Sequence, residues 1–109
     1  MATTANPRET LDLAIKEHAF QQLVTNAARM YGWLPYHTFR SDRSQPGYPD
    51  LTLVRERCIW AELKTMRGRL RPEQKVWIEA LKAAGQEVYV WKPCDWDDIV
   101  RLLSGREEV

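Results

Sequence analysis

Asp50-Leu51-Thr52-Leu53-Val54-Arg55-Glu56-Arg57-Cys58-Ile59-Trp60-Ala61-Glu62-Leu63-Lys64 is the stretch that decides the fold. Residues 51–54 and 58–63 are apolar and rich in β-formers, and Arg55-Glu56-Arg57 is the only polar break between them. Two such runs joined by so short a break read as an antiparallel hairpin. A three-residue loop centred on Glu56 pairs Val54 with Cys58 and, counting outward, Asp50 with Glu62, their Cβ atoms roughly 5 Å apart. Alternation along the second strand puts Glu62 and Lys64 on one face and Ile59, Ala61 and Leu63 on the other.

Two carboxylates and an amine gathered at one end of a hairpin can act together on a phosphate. Mg²⁺ takes oxygen ligands at about 2.0–2.1 Å, keeps several waters, and usually draws only one or two carboxylates from the protein. Asp50 and Glu62 meet that demand, and a cation between them would lower the pKa of a water and offset charge on a phosphorane-like transition state. Lys64 can orient the water and add positive charge. A lysine beside a carboxylate is often only a solvated ion pair of small energetic weight; the coincidence with Asp50 favours a metal-dependent nuclease.

Outward from the hairpin, Asn6-Pro7-Arg8-Glu9 has the pattern of a helix start, with Asn as N-cap, Pro at the first position and Glu at the third. The helix is expected to run to Met30 or Tyr31 and to stop at Gly32. Residues 33–39 lead into a first strand that Pro35 restricts to an edge or a beginning. Residues 40–47 are polar and form a loop beside the site, where substrate contacts commonly lie. After the hairpin the chain turns through Gly68, and a second helix opens at Pro72 and ends near Ala84, with Gly85 as its stop. Residues 88–91 form a short strand, and Asp95 is expected to cap a last helix over residues 96–103. No repeat or linker divides the chain. The order α-β-β-β-α-β-α predicts a layered α/β domain with a central sheet.

Two polar residues fall where apolar ones belong. On the first helix the stripe Leu13, Phe20, Val24, Ala27, Tyr31 includes Glu17 in line. A carboxylate facing a core is costly unless paired; metal coordination or Lys64 would pair it, and snorkelling to water at the edge of the stripe is the alternative. On the second helix Gln74 aligns with Trp77, Ile78 and Leu81 and should face the sheet. His18 is expected to be exposed, and His37 is either a DNA contact or simply packed. The five tryptophans are most economically core or interface residues.

Gly47-Tyr48-Pro49-Asp50, Glu62-Leu63-Lys64, Gly68-Arg69-Leu70-Arg71-Pro72-Glu73-Gln74 and Gly85-Gln86-Glu87-Val88-Tyr89-Val90 resemble, in order, the successive blocks of the VRR-NUC branch of the PD-(D/E)xK nucleases, a similarity spanning about residues 17–103. The resemblance implies a restriction-endonuclease-like core, a mixed β-sheet flanked by helices, and a Mg²⁺- or Mn²⁺-dependent endodeoxyribonuclease. It implies that Asp50, Glu62, Glu17 and the Leu63 carbonyl hold the metal, that Lys64 positions the water, and that Gln74 supports it. Gln21 matches a further polar position. Stand-alone relatives of this size are similar to phage and bacterial proteins that act as homodimers on branched DNA, Holliday junctions in particular. Arg71 departs from the pattern, since many relatives carry Ser or Thr there as an N-cap worth on the order of 1 kcal/mol. The loop over residues 41–46 also looks shorter than in many relatives.

Charge supports a local grip on nucleic acid rather than a coat. The net charge is only +1, whereas bulk backbone binding scales with the number of phosphates neutralised. Lys64, Arg67, Arg69, Arg71 and Lys75 nevertheless cluster within residues 64–75 beside the single acid Glu73, and Arg40 and Arg43 border the site in the other loop. These arginines and Lys75 are candidate backbone contacts; a solvated loop is the plainer reading.

The chain of 109 residues has room for one domain, with residues 1–6 expected to be disordered and 104–109 to fray. Its two cysteines match no zinc spacing or secreted disulfide framework. With no apolar run of ~20 residues and no leader pattern, a cytoplasmic location is expected. Two other function classes compete: a non-catalytic module that binds junction DNA or a partner on the same fold, and a small-ligand enzyme. The latter lacks a Gly-rich phosphate cradle.

Overall fold

A computed structural model describes residues 6–39 and 45–105. The hairpin forms in the expected register: β2 (Leu51–Val54) runs antiparallel to β3 (Cys58–Leu63), with Leu51 opposite Ala61 and Val54 opposite Cys58. On the outer side of β2 lies β1 (Leu34–His37), antiparallel, and on the outer side of β3 lies β4 (Glu87–Trp91), parallel. The result is a mixed four-stranded sheet in the order β1-β2-β3-β4. Pro35 is tolerated because β1 is an edge strand.

Strand alternation sorts the two faces. Leu51, Leu53, Ile59, Ala61 and Leu63 are fully buried in one core cluster with Phe20, Val24, Ile99 and Leu103. Those partners come from α2 (Glu17–Met30) and α4 (Trp96–Ser104), which cover this face. The opposite face carries Trp60 and its neighbour Val88. It is covered by α3 (Pro72–Ala83), which buries Ile78 and Gln74.

The N-terminal helix is two helices. Asn6 caps α1 (Pro7–Ala14) as expected, accepting the Glu9 N–H at 2.8 Å, but Ile15 and Lys16 are extended (ψ 125° and 160°) and α2 begins anew at Glu17. No Gly or Pro marks the break. It turns the half-buried Ile15 onto the core, leaves Leu13 exposed rather than on the apolar stripe, and buries Asp12, which accepts from Arg8 Nε at 3.2 Å. Glu17 thereby becomes the first residue of α2, where the helix dipole favours a negative charge.

A second correction concerns Asp95. It makes no side-chain cap to α4; its carboxylate accepts the Lys92 N–H at 2.8 Å and closes a 3₁₀ turn, Pro93–Asp95, that precedes the helix. Pro93 cannot continue a strand and starts that turn, so the donor nearest to Asp95 is the backbone behind it. At the other end Ser104 completes α4 and Gly105 follows as its C-cap. The expectations for residues 1–5 and 106–109 lie outside the described residues.

The hairpin tip is tied to the helix ends. Arg55 donates from Nη1 to the carbonyls of Tyr31 (3.0 Å) and Leu103 (3.1 Å), which close α2 and α4, and its guanidinium lies 4.5 Å from the centre of the Trp33 ring. Trp33 Nε1 donates to the same Leu103 carbonyl at 2.9 Å. The hydrogen-bonded Arg55 also holds the Glu56 carboxyl down at about 2. No helix among the described residues is long and apolar enough to cross a membrane.

Candidate active site

At the other end of the hairpin the paired register stops at Leu51–Ala61, and its continuation by one step sets Asp50 across from Glu62. Both are buried, with 7% and 1% of their surface exposed. Asp50 Oδ2 accepts the Leu63 N–H at 2.8 Å, so one carboxylate oxygen is fixed to the partner strand and the Leu63 peptide is held beside the acid. Lys64 is on the Glu62 face, as alternation requires, with Nζ 3.8 Å from Glu62 Oε2. It too is buried, and its backbone N–H continues the ladder to the Trp91 carbonyl at 2.9 Å.

The backbone of the Asp50 segment is held from three sides. Thr38, next after β1, donates its N–H to the Asp50 carbonyl (2.9 Å) and its hydroxyl to the Pro49 carbonyl (2.8 Å). The Tyr48 hydroxyl accepts from Trp60 Nε1 at 2.9 Å, and its ring meets Trp77 of α3 edge-on at 5.0 Å. Gly47, at φ +95°, lies so close to α3 that a Cβ would stand 2.4 Å from the Glu73 carbonyl oxygen. Only glycine fits both the left-handed conformation and the contact. Sequence reasoning missed Thr38 and the Tyr48 clamp. The edge position of β1 was legible, but its register, which sets Thr38 beside Asp50, was not.

Gln74 is buried, as its helical phase predicts, and its Oε1 accepts the Arg71 N–H at 2.8 Å. Arg71 supplies no side-chain cap, so Gln74 provides one half of a capping box, with the other half missing because a guanidinium cannot accept. Glu17 is half-buried and lines an open groove of about 380 Å³ together with Asp50, Thr38, His37 and Gln21. His18, on the same groove, is exposed as expected. Arg67, Arg69, Arg71 and Lys75 are all exposed along the segment that leaves Lys64 and enters α3. Arg40 and Arg43 lie outside the described residues.

The donor set suits a hard divalent cation. Among the described residues no three His, Cys, Asp or Glu side chains form a ready-made cage, so Glu17 does not close a three-acid cluster with Asp50 and Glu62. One or two carboxylates are what Mg²⁺ typically uses, water and substrate oxygens supplying the remaining ligands, and the groove lined by Asp50 leaves room for these.

The VRR-NUC domain family model matches residues 6–93. No curated protein and no solved structure matches the chain. A match over that much of the sequence, on a mixed sheet that brings Asp50, Glu62 and Lys64 to one strand end, makes the chain a member of the VRR-NUC family, a nuclease-type DNA-processing domain.

Proposed function

We propose that this domain is a Mg²⁺- or Mn²⁺-dependent endonuclease that hydrolyses phosphodiester bonds in branched DNA, four-way junctions in particular. The observation that carries the reading is the burial of Asp50, Glu62 and Lys64 at one end of the hairpin, with Lys64 Nζ 3.8 Å from Glu62. Burying two acids and an amine together costs desolvation free energy that a purely structural site would avoid with apolar residues.

Asp50 and Glu62 would hold the metal, with the Leu63 carbonyl and Glu17 as further ligands from the chain or through water. When bound, the cation supplies charge neutralisation at the phosphate and a more acidic water. Lys64 orients the attacking water and places positive charge beside the phosphorus centre as its P–O bond to the leaving strand breaks. Gln74 fixes the start of α3 behind Lys64, and Arg67, Arg69, Arg71 and Lys75 track the backbone by phosphate contacts. Arg40 and Arg43 extend that grip from the second loop. A four-way junction presents two equivalent strands, which a symmetric dimer of this small domain would address.

The test is cleavage of a labelled four-way junction with Mg²⁺ by the wild type, Asp50→Ala and Lys64→Ala. The wild type should cut and both variants should lose roughly a hundredfold or more, the usual scale for a group that handles the reacting proton. Undiminished cutting by either variant overturns the assignment. Junction binding without hydrolysis by the wild type under any divalent ion would instead identify a non-catalytic module.

A further inference from the structure

The groove that holds Asp50 and Glu17 does not end at them. A second groove of about 420 Å³ adjoins it, sharing His18, Gln21 and His37, and continues along α2 past Gln22, Thr25 and Asn26 to Arg29. Among the described residues its lining contains Arg29, two histidines and several amides, and no acid. From Glu17 to Arg29 the helix advances roughly 18 Å, room for about five nucleotides at the 3.4 Å spacing of stacked bases.

At the mouth of the first groove stands an aromatic pair. His37 and Phe39, two residues apart and therefore on one side of the chain, have rings parallel to within 2° with centroids 5.6 Å apart. Phe39 is 77% exposed. A phenylalanine left in water forgoes about 1.5–3 kcal/mol of burial, and this one lines the groove that contains Asp50. A bare ring held parallel to a second ring offers a face for a flat ligand, and the amides and arginine beyond it offer donors for phosphates.

We propose that His37 and Phe39 form a stacking platform for an unpaired base next to the scissile phosphate, and that the same strand continues along the α2 groove to Arg29. This rests on the nuclease reading above, and adds a binding site on the sheet face opposite α3 and its cationic approach. The two flanks would divide the work: arginines before α3 hold duplex backbone, and the α2 groove receives a strand whose bases are free. Only a branched DNA with unpaired nucleotides uses both, so within the branched class this site favours a substrate with a single-stranded arm over a fully paired four-way junction.

The experiment measures binding by fluorescence anisotropy, in Ca²⁺, of a blunt duplex and of the same duplex with a single-stranded tail carrying 2-aminopurine at the junction. Phe39→Ala should lower the ratio of tailed to blunt affinity roughly fivefold to tenfold, within the range for loss of one stacked base. Phe39→Tyr should restore it. At saturating protein the 2-aminopurine emission, quenched in the wild-type complex, should recover in the Phe39→Ala complex, a signal that a general loss of affinity would not give. Arg29→Ala should reduce the salt dependence of tailed-DNA binding by about one phosphate. If the wild type binds and cuts DNA while Phe39→Ala leaves both ratio and quenching unchanged, the platform is wrong and the nuclease reading stands. If the wild type neither binds nor cuts any DNA, both fall.

Discussion

The two ends of the central hairpin carry the same kinds of residue and use them in opposite ways. At the tip, Arg55 donates to the last carbonyls of two helices, lies on Trp33 and pairs with the exposed Glu56. At the far end Asp50, Glu62 and Lys64 are buried, and the Glu62–Lys64 contact is a long 3.8 Å. The difference teaches that an acid-base pair reveals its purpose by its surroundings rather than by its composition. Charges at the tip stay near water and close off helix ends, which stabilises the fold. Those at the base are desolvated, with Asp50 on the wall of an open groove, an arrangement that costs stability and that the proposed chemistry would use.

The comparison breaks most sharply under paired substitution. A Glu62→Leu/Lys64→Met double variant should abolish detectable cutting, beyond the 10–100-fold typical of losing an outer partner of a metal ligand. It should also unfold at higher denaturant, a gain of about 1–4 kcal/mol as apolar groups replace a buried pair. A loss of stability in that variant would mean that the base of the hairpin is structural, like its tip. Gly47→Ala should cost roughly 2–3 kcal/mol from left-handed strain and the displaced contact with α3. It should slow cutting even below its melting temperature, because Asp50 follows the same segment. Arg55→Met should lower Tm in a thermal melt and leave cutting at low temperature unchanged; reduced activity with unchanged Tm would contradict the division between the ends.

The smallest effect is a pH dependence. Because the Glu56 carboxyl is held at about 2, below the ordinary carboxylate value, its contribution is present above pH ~4.5 and is lost as pH falls toward ~2. Glu56→Gln should therefore flatten the fall of Tm between those values, its small loss of Tm being present at neutral pH and vanishing toward pH ~2.

Much of this was legible in the chain because it is local. The register of the hairpin follows from two apolar runs and a three-residue break, and with it the strand end on which Asp50 and Glu62 lie. The inward turn of Gln74 follows from helical phase. The break at Ile15 and Lys16 was not legible, since neither residue forbids a helix and the extended backbone is imposed by Ile15 turning to the core. Nor was the Tyr48 clamp, whose partners Trp60 and Trp77 are brought near only once β3 and α3 have packed together. The placement of Glu17 on a groove wall, rather than among the buried acids, depends on that same break.

The fit of Gly47 against the Glu73 and Gln74 backbone links the acid that would hold the metal to the helix that follows the cationic segment. On the proposed reading, a phosphate drawing on Arg67, Arg69 or Arg71 would pull on the entrance to α3, and through a contact with no room for a methyl group that pull would reach residue 50. Grip and chemistry would then be one mechanical unit, and substitutions that alter how DNA is held should also change how fast it is cut.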